Sequence, residues 1–202
     1  MLGAIVIHAV SGMIDFRKLT RLWRAHVADF WLALGALLGV ILIGILAGIV
    51  VGVVLSLALL IHRLEHPHVA MLGMSADGSR FEDLAEHPEA APVPAVVVYR
   101  LDAPLIFANA DVVADDIIGV VDEAGSDCRA VVLDFEAVYE VDTQGADTLV
   151  RLGEELGRRD VRVVIARGHS AVLDYMQRDG SLAKLGDDAV WASVDEAVNA
   201  VR

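Results

Sequence analysis

The sequence predicts an α/β domain built on a mixed sheet with helices, preceded by an all-α helical hairpin that lies in a membrane. Three observations predict it. Residues 30–61 form an uncharged apolar run broken only by Ser56. Beyond residue 95, short apolar strands alternate with amphipathic helical stretches, the order of an α/β layer whose sheet is at least partly parallel. The charge also divides at the joint. Residues 1–64 carry Arg17, Lys18, Arg21, Arg24 and Arg63 against Asp15 and Asp29, a net of +3, whereas the remainder has a net of −16.

The elements follow in order. Residues 1–14 are apolar but lack the basic region of a signal peptide. The chain is expected to begin inside a hydrophobic segment of a longer membrane protein. Residues 16–26 place Phe16, Leu19, Leu22, Trp23 and His26 at helical spacing, with basic residues between them. That pattern suits a helix lying at the lipid surface, although a basic loop between spans accounts for it nearly as well. Trp23, Phe30 and Trp31 stand where an aromatic belt is expected.

The run 30–61 is too long for one upright helix, since 32 residues would extend about 48 Å against a hydrocarbon core of about 30 Å. It is also short for two full crossings with a polar loop. One strongly tilted span or a hairpin bending near Gly44–Gly48 would accommodate it, and the hairpin returns Arg17–Arg24 and Arg63 to one side, the cytoplasm by the positive-inside bias. Gly35, Gly39, Gly44, Gly48 and Gly52 recur at close to four-residue spacing, a pattern that allows helices to approach closely. These glycines are the expected packing surface, within the hairpin or between two copies.

The segment from His62 to His68 holds three histidines, but Pro67 stops the helix and no carboxylate is placed to complete a metal site. It reads as a headgroup-level linker. Residues 65–95 form a strand-and-loop linker, with a strand at 69–72 ended by Gly73 and a loop at 75–94. Strands are then expected at 95–101, 105–108, 130–135, 161–166 and 190–191. Helices are expected from a cap at Asn109 to about Glu123, from a cap at Asp142 to Arg159, and from a cap at Ser170 to about Arg178. Ser193 and Glu196 form a capping box for a terminal helix.

Composition excludes several function classes. The acidic C-terminal part argues against nucleic acid, because phosphate binding needs Lys and Arg. Cys128 is the only cysteine, so neither an intrachain disulfide nor a cysteine zinc site can form. No phosphate-binding Gly-Lys loop, nucleophile elbow or His-Glu-x-x-His pair is present. Asp134, Glu136, Glu140 and Asp142 read as a solvated rim at one strand end, and His169, Ser170 and Asp174 as a loop and helix start. The sequence therefore assigns no catalytic residue, no metal ligand and no cofactor.

Two stretches carry a family resemblance. The run from Tyr99 to Ala110 (YRLDAPLIFANA) resembles the opening of the STAS domain of SulP-type anion transporters. Ala130-Val131-Val132-Leu133-Asp134-Phe135, leading to Val141-Asp142-Thr143-Gln144-Gly145, resembles that domain's central strand, loop and helix start. Upstream, Ile14-Asp15, Leu22-Trp23-Arg24, Asp29-Phe30 and the run from Pro67 to Gly73 (PHVAMLG) resemble the end of the same transporters' membrane domain.

The resemblance implies the C-terminal part of a dimeric secondary transporter for sulfate, bicarbonate or related anions. Residues 1–64 would end its membrane domain and residues 96–202 would form a cytoplasmic STAS domain with a regulatory or assembly role. The anion-binding spans of the family precede this region, so no substrate-binding residue is named and these residues alone are expected not to transport. Soluble STAS proteins that antagonise anti-sigma factors are phosphorylated on the serine before the glycine matching Gly145; here Gln144 stands there. Asp142, Thr143, Gln144 and Gly145 are the expected partner loop. A self-standing membrane-anchored STAS module, binding a protein partner or a nucleotide, remains open as a second reading.

Overall fold

The computed structural model describes residues 27–186 and 188–202. The apolar stub 1–14 and the surface helix 16–26 expected from sequence lie outside the described residues. The chain divides into two compact units, Met1–His62 and Arg63–Arg202.

In the first unit the apolar run is broken once. Helix α1 spans Val27–Ile43, and helix α2 begins at Ile45 and runs to Glu65. Gly44 between them has φ 116°, a conformation costly for any residue with a Cβ. The bend expected near Gly44–Gly48 is therefore at Gly44. Both helices outrun the apolar stretch, so their 17 and 21 residues extend about 26 and 32 Å.

The helices fold back on each other through small residues. A Cβ built on Gly35 would lie 3.3 Å from Leu55 Cδ1, one on Gly52 3.2 Å from Ala36 Cβ, and one on Gly39 3.3 Å from Gly48 Cα. A Cβ on Gly48 would overlap Val40. The partner numbers fall in α1 as they rise in α2, so the helices are antiparallel. One correction follows. Gly44 forms the bend, and a Cβ on it would meet nothing within 4 Å, so it is not a packing glycine. The other four glycines face the partner helix inside the hairpin.

The outer surface of the hairpin is apolar and exposed, from Leu37 and Leu38 through Ile41, Leu42, Ile43, Ile45 and Leu46 to Leu60 and Ile61. An 18-residue stretch of helix α2 has a mean hydropathy of 2.7, and the helix is long and apolar enough to cross a membrane; the apolar part of α1, Phe30–Ile43, is shorter.

The second unit is a six-stranded sheet in the order β2-β1-β3-β4-β5-β6. Its strands are β1 (Val69–Met74), β2 (Phe81–Asp83), β3 (Val96–Leu101), β4 (Ala130–Asp134), β5 (Arg162–Ala166) and β6 (Val190–Trp191). The pairs β1–β2 and β1–β3 are antiparallel, and β3 to β6 run parallel. The sheet is thus mixed, as the sequence predicts. Its helices are α3 (Ala110–Ala124), α4 (Thr143–Gly157), α5 (Ser170–Asp179), α6 (Ser181–Leu185) and α7 (Val194–Val201).

Alternate strand residues pack on opposite faces. Val97, Tyr99, Val131, Leu133, Val163 and Ile165 join Val113, Ile117, Leu149, Leu152, Leu156 and Met176 of the helices. Val96, Val98, Val132, Val164 and Ala166 pack with Val194, Ala197 and Val198 of α7. Burial on both faces is why β3, β4 and β5 read as unbroken apolar runs and not as alternating ones.

Several local expectations are corrected. Gly73 lies inside β1, not after it, because a Cβ there would press on the Ala91 carbonyl at 2.7 Å. The loop 75–94 contains β2, a three-residue edge strand too short to show a period. Residues 105–108 make only a single bridge, Leu105 to Val141, because the chain turns away at once into α3. Asn109 precedes α3, but its side chain makes no cap bond to the helix. Its Oδ1 instead accepts from Ile106 N at 3.0 Å and its Nδ2 donates to the Pro104 carbonyl at 2.9 Å. Ser170 opens α5 with His169 in the cap position. The short helix α6 was not anticipated.

Candidate functional site

The parallel strands β3, β4 and β5 all end at one edge of the sheet, where each chain turns back into a helix. That edge gathers the sequence-predicted loop residues. Asp142 precedes α4 and its carboxylate holds two segments together. Oδ1 accepts from Gly145 N and Oδ2 from Phe107 N, each at 2.8 Å. Asp142 thus caps α4, as expected, and also fixes the loop after β3. The backbone repeats the link, with Leu105 N donating to the Glu140 carbonyl at 3.0 Å and Asp142 N to the Leu105 carbonyl at 3.3 Å.

Gly145 is buried on the first turn of α4 because a Cβ there would overlap the Leu105 carbonyl. Thr143 and Gln144 are exposed, and the Thr143 hydroxyl lies 3.0 Å from the Tyr175 hydroxyl of α5. The four residues of the predicted loop thus divide. Asp142 and Gly145 set the backbone, while Thr143 and Gln144 face outward.

The strand-end carboxylates are not a uniform solvated rim. Asp134 is fully buried, a correction to the sequence expectation. It is buried because Arg167, directly after β5, pairs with both of its oxygens, Nε to Oδ1 at 2.9 Å and Nη2 to Oδ2. Arg167 Nη1 also reaches Glu136 Oε2 at 2.7 Å. Burial works against the Arg167 charge, but the Asp134 bonds and the negative fields of Asp134, Glu136 and Asp195 outweigh it and hold the guanidinium above its ordinary pKa. Arg167 adopts φ 57°, rare for a residue with a Cβ. The pair therefore fixes the ends of β4 and β5 against each other.

His169 Nε2 donates to the Glu136 carbonyl at 2.7 Å, so that nitrogen serves the loop backbone. Burial is the main reason that the Cys128 thiol is pushed up. Elsewhere in the unit, burial and the 2.7 Å bond to Asp116 push the Tyr99 phenol up.

Sequence reasoning missed Arg167 and two exposed aromatics beside the loop. Phe107 is 75% exposed and Tyr139 65% exposed. Both stand between a strand end and a helix start, a position where exposed large side chains are a signal for contact. The edge thus presents Phe107, Tyr139, Thr143, Gln144 and Tyr175 on a backbone locked by Asp142 and the Asp134–Arg167 pair. Chemically this is an exposed face with an aromatic component. Asp134, Glu136 and Asp142 are engaged in bonds within the fold.

Comparison with known proteins follows the same division. Residues 87–197 match the STAS domain family. Over 201 residues the chain is 34% identical to a probable sulfate transporter of Mycobacterium tuberculosis, covering 100% of this chain and 36% of that protein. It is 28% identical over 208 residues to sulfate transporter 3.2 of Arabidopsis thaliana, covering 99% of this chain and 32% of the plant protein. The chain therefore spans about a third of the length of these curated relatives. Its fold matches that of the murine Solute Carrier 26 family member A9 anion transporter in the inward-facing state, with TM-score 0.78 and 21% identity over 90% of this chain and 30% of that one. With the parallel strands β3 to β6 and the Asp142–Gly145 helix start in the matched region, the chain belongs to the STAS domain family.

Proposed function

We propose that the chain forms the C-terminal membrane hairpin and STAS domain of a secondary transporter for an inorganic anion of the sulfate or bicarbonate class. One observation carries this reading. The alignment to sulfate transporters runs through the apolar hairpin and the STAS domain together, covering 100% of this chain in the mycobacterial relative. A STAS domain alone would not require a two-helix apolar unit with an exposed outer surface. Lipid is the solvent that this surface fits, because exposed Leu, Ile and Val would drive association in water.

In this reading the STAS domain lies on the cytoplasmic side and has a regulatory or assembly role, within a homodimer. The face formed by Phe107, Tyr139, Thr143 and Gln144, on the backbone set by Asp142 and Gly145, is its docking surface for a protein partner. The anion pathway is assigned to the portion of the relatives that this chain does not match, so the residues described here do not transport by themselves.

The test fuses a reporter after Arg202 in a bacterial host. Green fluorescent protein at that position should fluoresce from the membrane fraction, and alkaline phosphatase there should be inactive. Active phosphatase would overturn the cytoplasmic orientation. The chain reconstituted alone into liposomes should take up labelled sulfate no faster than empty vesicles. Uptake above that background would overturn the assignment of the pathway to other residues.

A further inference from the structure

The turn after β2 brings three metal-ligating side chains together, away from the docking face. Glu82 sits on β2 with its side chain only 9% exposed, and His87 and Glu89 come from the turn that follows. His87 Nδ1 lies 3.3 Å from Glu89 Oε1 and 3.9 Å from Glu82 Oε2. One ligand atom from each residue lies within 4.8 Å of the other two. The backbone fixes this approach. His87 N donates to the Asp83 carbonyl at 2.9 Å, Ala90 N donates to the His87 carbonyl at 3.0 Å, and Ala91 N donates to the Met74 carbonyl of β1 at 2.8 Å.

As hydrogen bonds these side-chain contacts are poor, since 3.3 Å is long and 3.9 Å is beyond bonding range. As edges of a coordination tetrahedron they fit. Zinc with nitrogen and oxygen ligands at about 2.0–2.1 Å separates neighbouring ligand atoms by about 3.3–3.4 Å. The His87–Glu89 distance already has that value, and the His87–Glu82 distance exceeds it by about half an ångström. Arg80 Nε donates to Glu82 Oε1 at 2.6 Å. That bond orients the carboxylate and leaves Oε2 as the oxygen nearer His87, the usual task of an outer partner at a metal site. The arginine charge opposes a cation, but two carboxylates outweigh it.

We infer that Glu82 Oε2, His87 Nδ1 and Glu89 Oε1 form a binding site for a divalent transition metal of the zinc type, with a fourth position left to solvent. The imidazole selects this class over magnesium and calcium, which take oxygen ligands. Bound metal would tie the turn 84–90 to the edge strand β2. The sequence did not suggest this, because the spacing Glu-x4-His-x-Glu matches no familiar ligand pattern and becomes a cluster only once the turn folds back.

The experiment uses the full chain in detergent micelles with His62, His66 and His68 changed to alanine, since that segment offers competing ligands. Calorimetry with zinc chloride should show one Zn²⁺ per chain, and cobalt chloride should give visible absorption bands of a site with nitrogen and oxygen ligands. His87→Ala and Glu89→Gln should each weaken zinc binding by about tenfold or more, with unchanged far-ultraviolet dichroism. Excess Mg²⁺ should not compete. The inference is overturned if the histidine-depleted chain shows no zinc binding, or if His87→Ala binds zinc with undiminished affinity.

Discussion

Asp134 ends strand β4 with no exposed surface, and a carboxylate there is tolerable only with a bound countercharge. Arg167 supplies it from a backbone conformation that costs energy. Breaking a buried pair by removing one partner costs about 3–5 kcal/mol, and Arg167 is 32% exposed, so water can soften the loss. Arg167→Ala is expected to destabilise the STAS unit by about 3 kcal/mol in urea unfolding; a loss below about 1 kcal/mol would show the pair to be marginal. The contact was illegible in the sequence because its partners lie 33 residues apart and meet only when β4 and β5 pair. Asp142 was legible, since a cap acts within three residues of itself. Asp77 offers a pH test. Bonds from Ser75, from the Ser79 side chain and from the Ser79 backbone hold its carboxyl at about 2, below the ordinary 3.8. A depressed folded pKa stabilises the turn above the ordinary value, and that contribution is lost as pH falls through about 2. The Asp77 carboxyl carbon should titrate by NMR with its midpoint near 2, and a midpoint near 4 would remove the turn from the account.

The hairpin shows what an element's sequence can and cannot disclose. The glycine spacing disclosed a close approach of helices, and the position of the bend was readable to within a few residues. Which surface the glycines serve was not, because the same pattern fits contact within a chain or between chains. The geometry gives a direct test. A Cβ at residue 52 would lie 3.2 Å from Ala36 Cβ, close to the Cβ separation of about 3.5–4.5 Å in disulfides. In a Cys128→Ser background, Ala36→Cys with Gly52→Cys should form an intrachain disulfide in membranes, detected as a mobility shift that reductant reverses. Gly48→Leu should prevent it, because its side chain would force α2 away from Val40. A dimer-sized crosslink in place of the intrachain one would return the glycines to an interface between copies. Edge elements were the ones the sequence hid. A three-residue strand such as β2 has too few residues for a period, and the alternation of β1 is masked by Gly73.

For the whole molecule, the division of charge and apolarity decides behaviour. Residues 30–61 carry no charge, whereas the residues after 64 are strongly acidic. The family was legible because its two motifs sit on the central strand and first helix turns, where packing fixes residue types. The anion that the proposed transporter would carry was not, because the chain spans 36% of the mycobacterial relative's length. Two units of such different solvent preference should separate cleanly. The full chain is expected to float with liposomes of zwitterionic or anionic lipid in a density gradient, held by the hairpin. Residues 66–202 alone should remain in the aqueous fraction on both vesicle types, because their excess of Asp and Glu is repelled by anionic headgroups and most of their apolar side chains are spent in the two cores flanking the sheet. They should still unfold cooperatively on heating, since both cores are built from the sheet's own strands and the helices that flank it. Co-flotation of residues 66–202 with neutral vesicles would mean that the STAS unit carries a lipid-binding surface of its own.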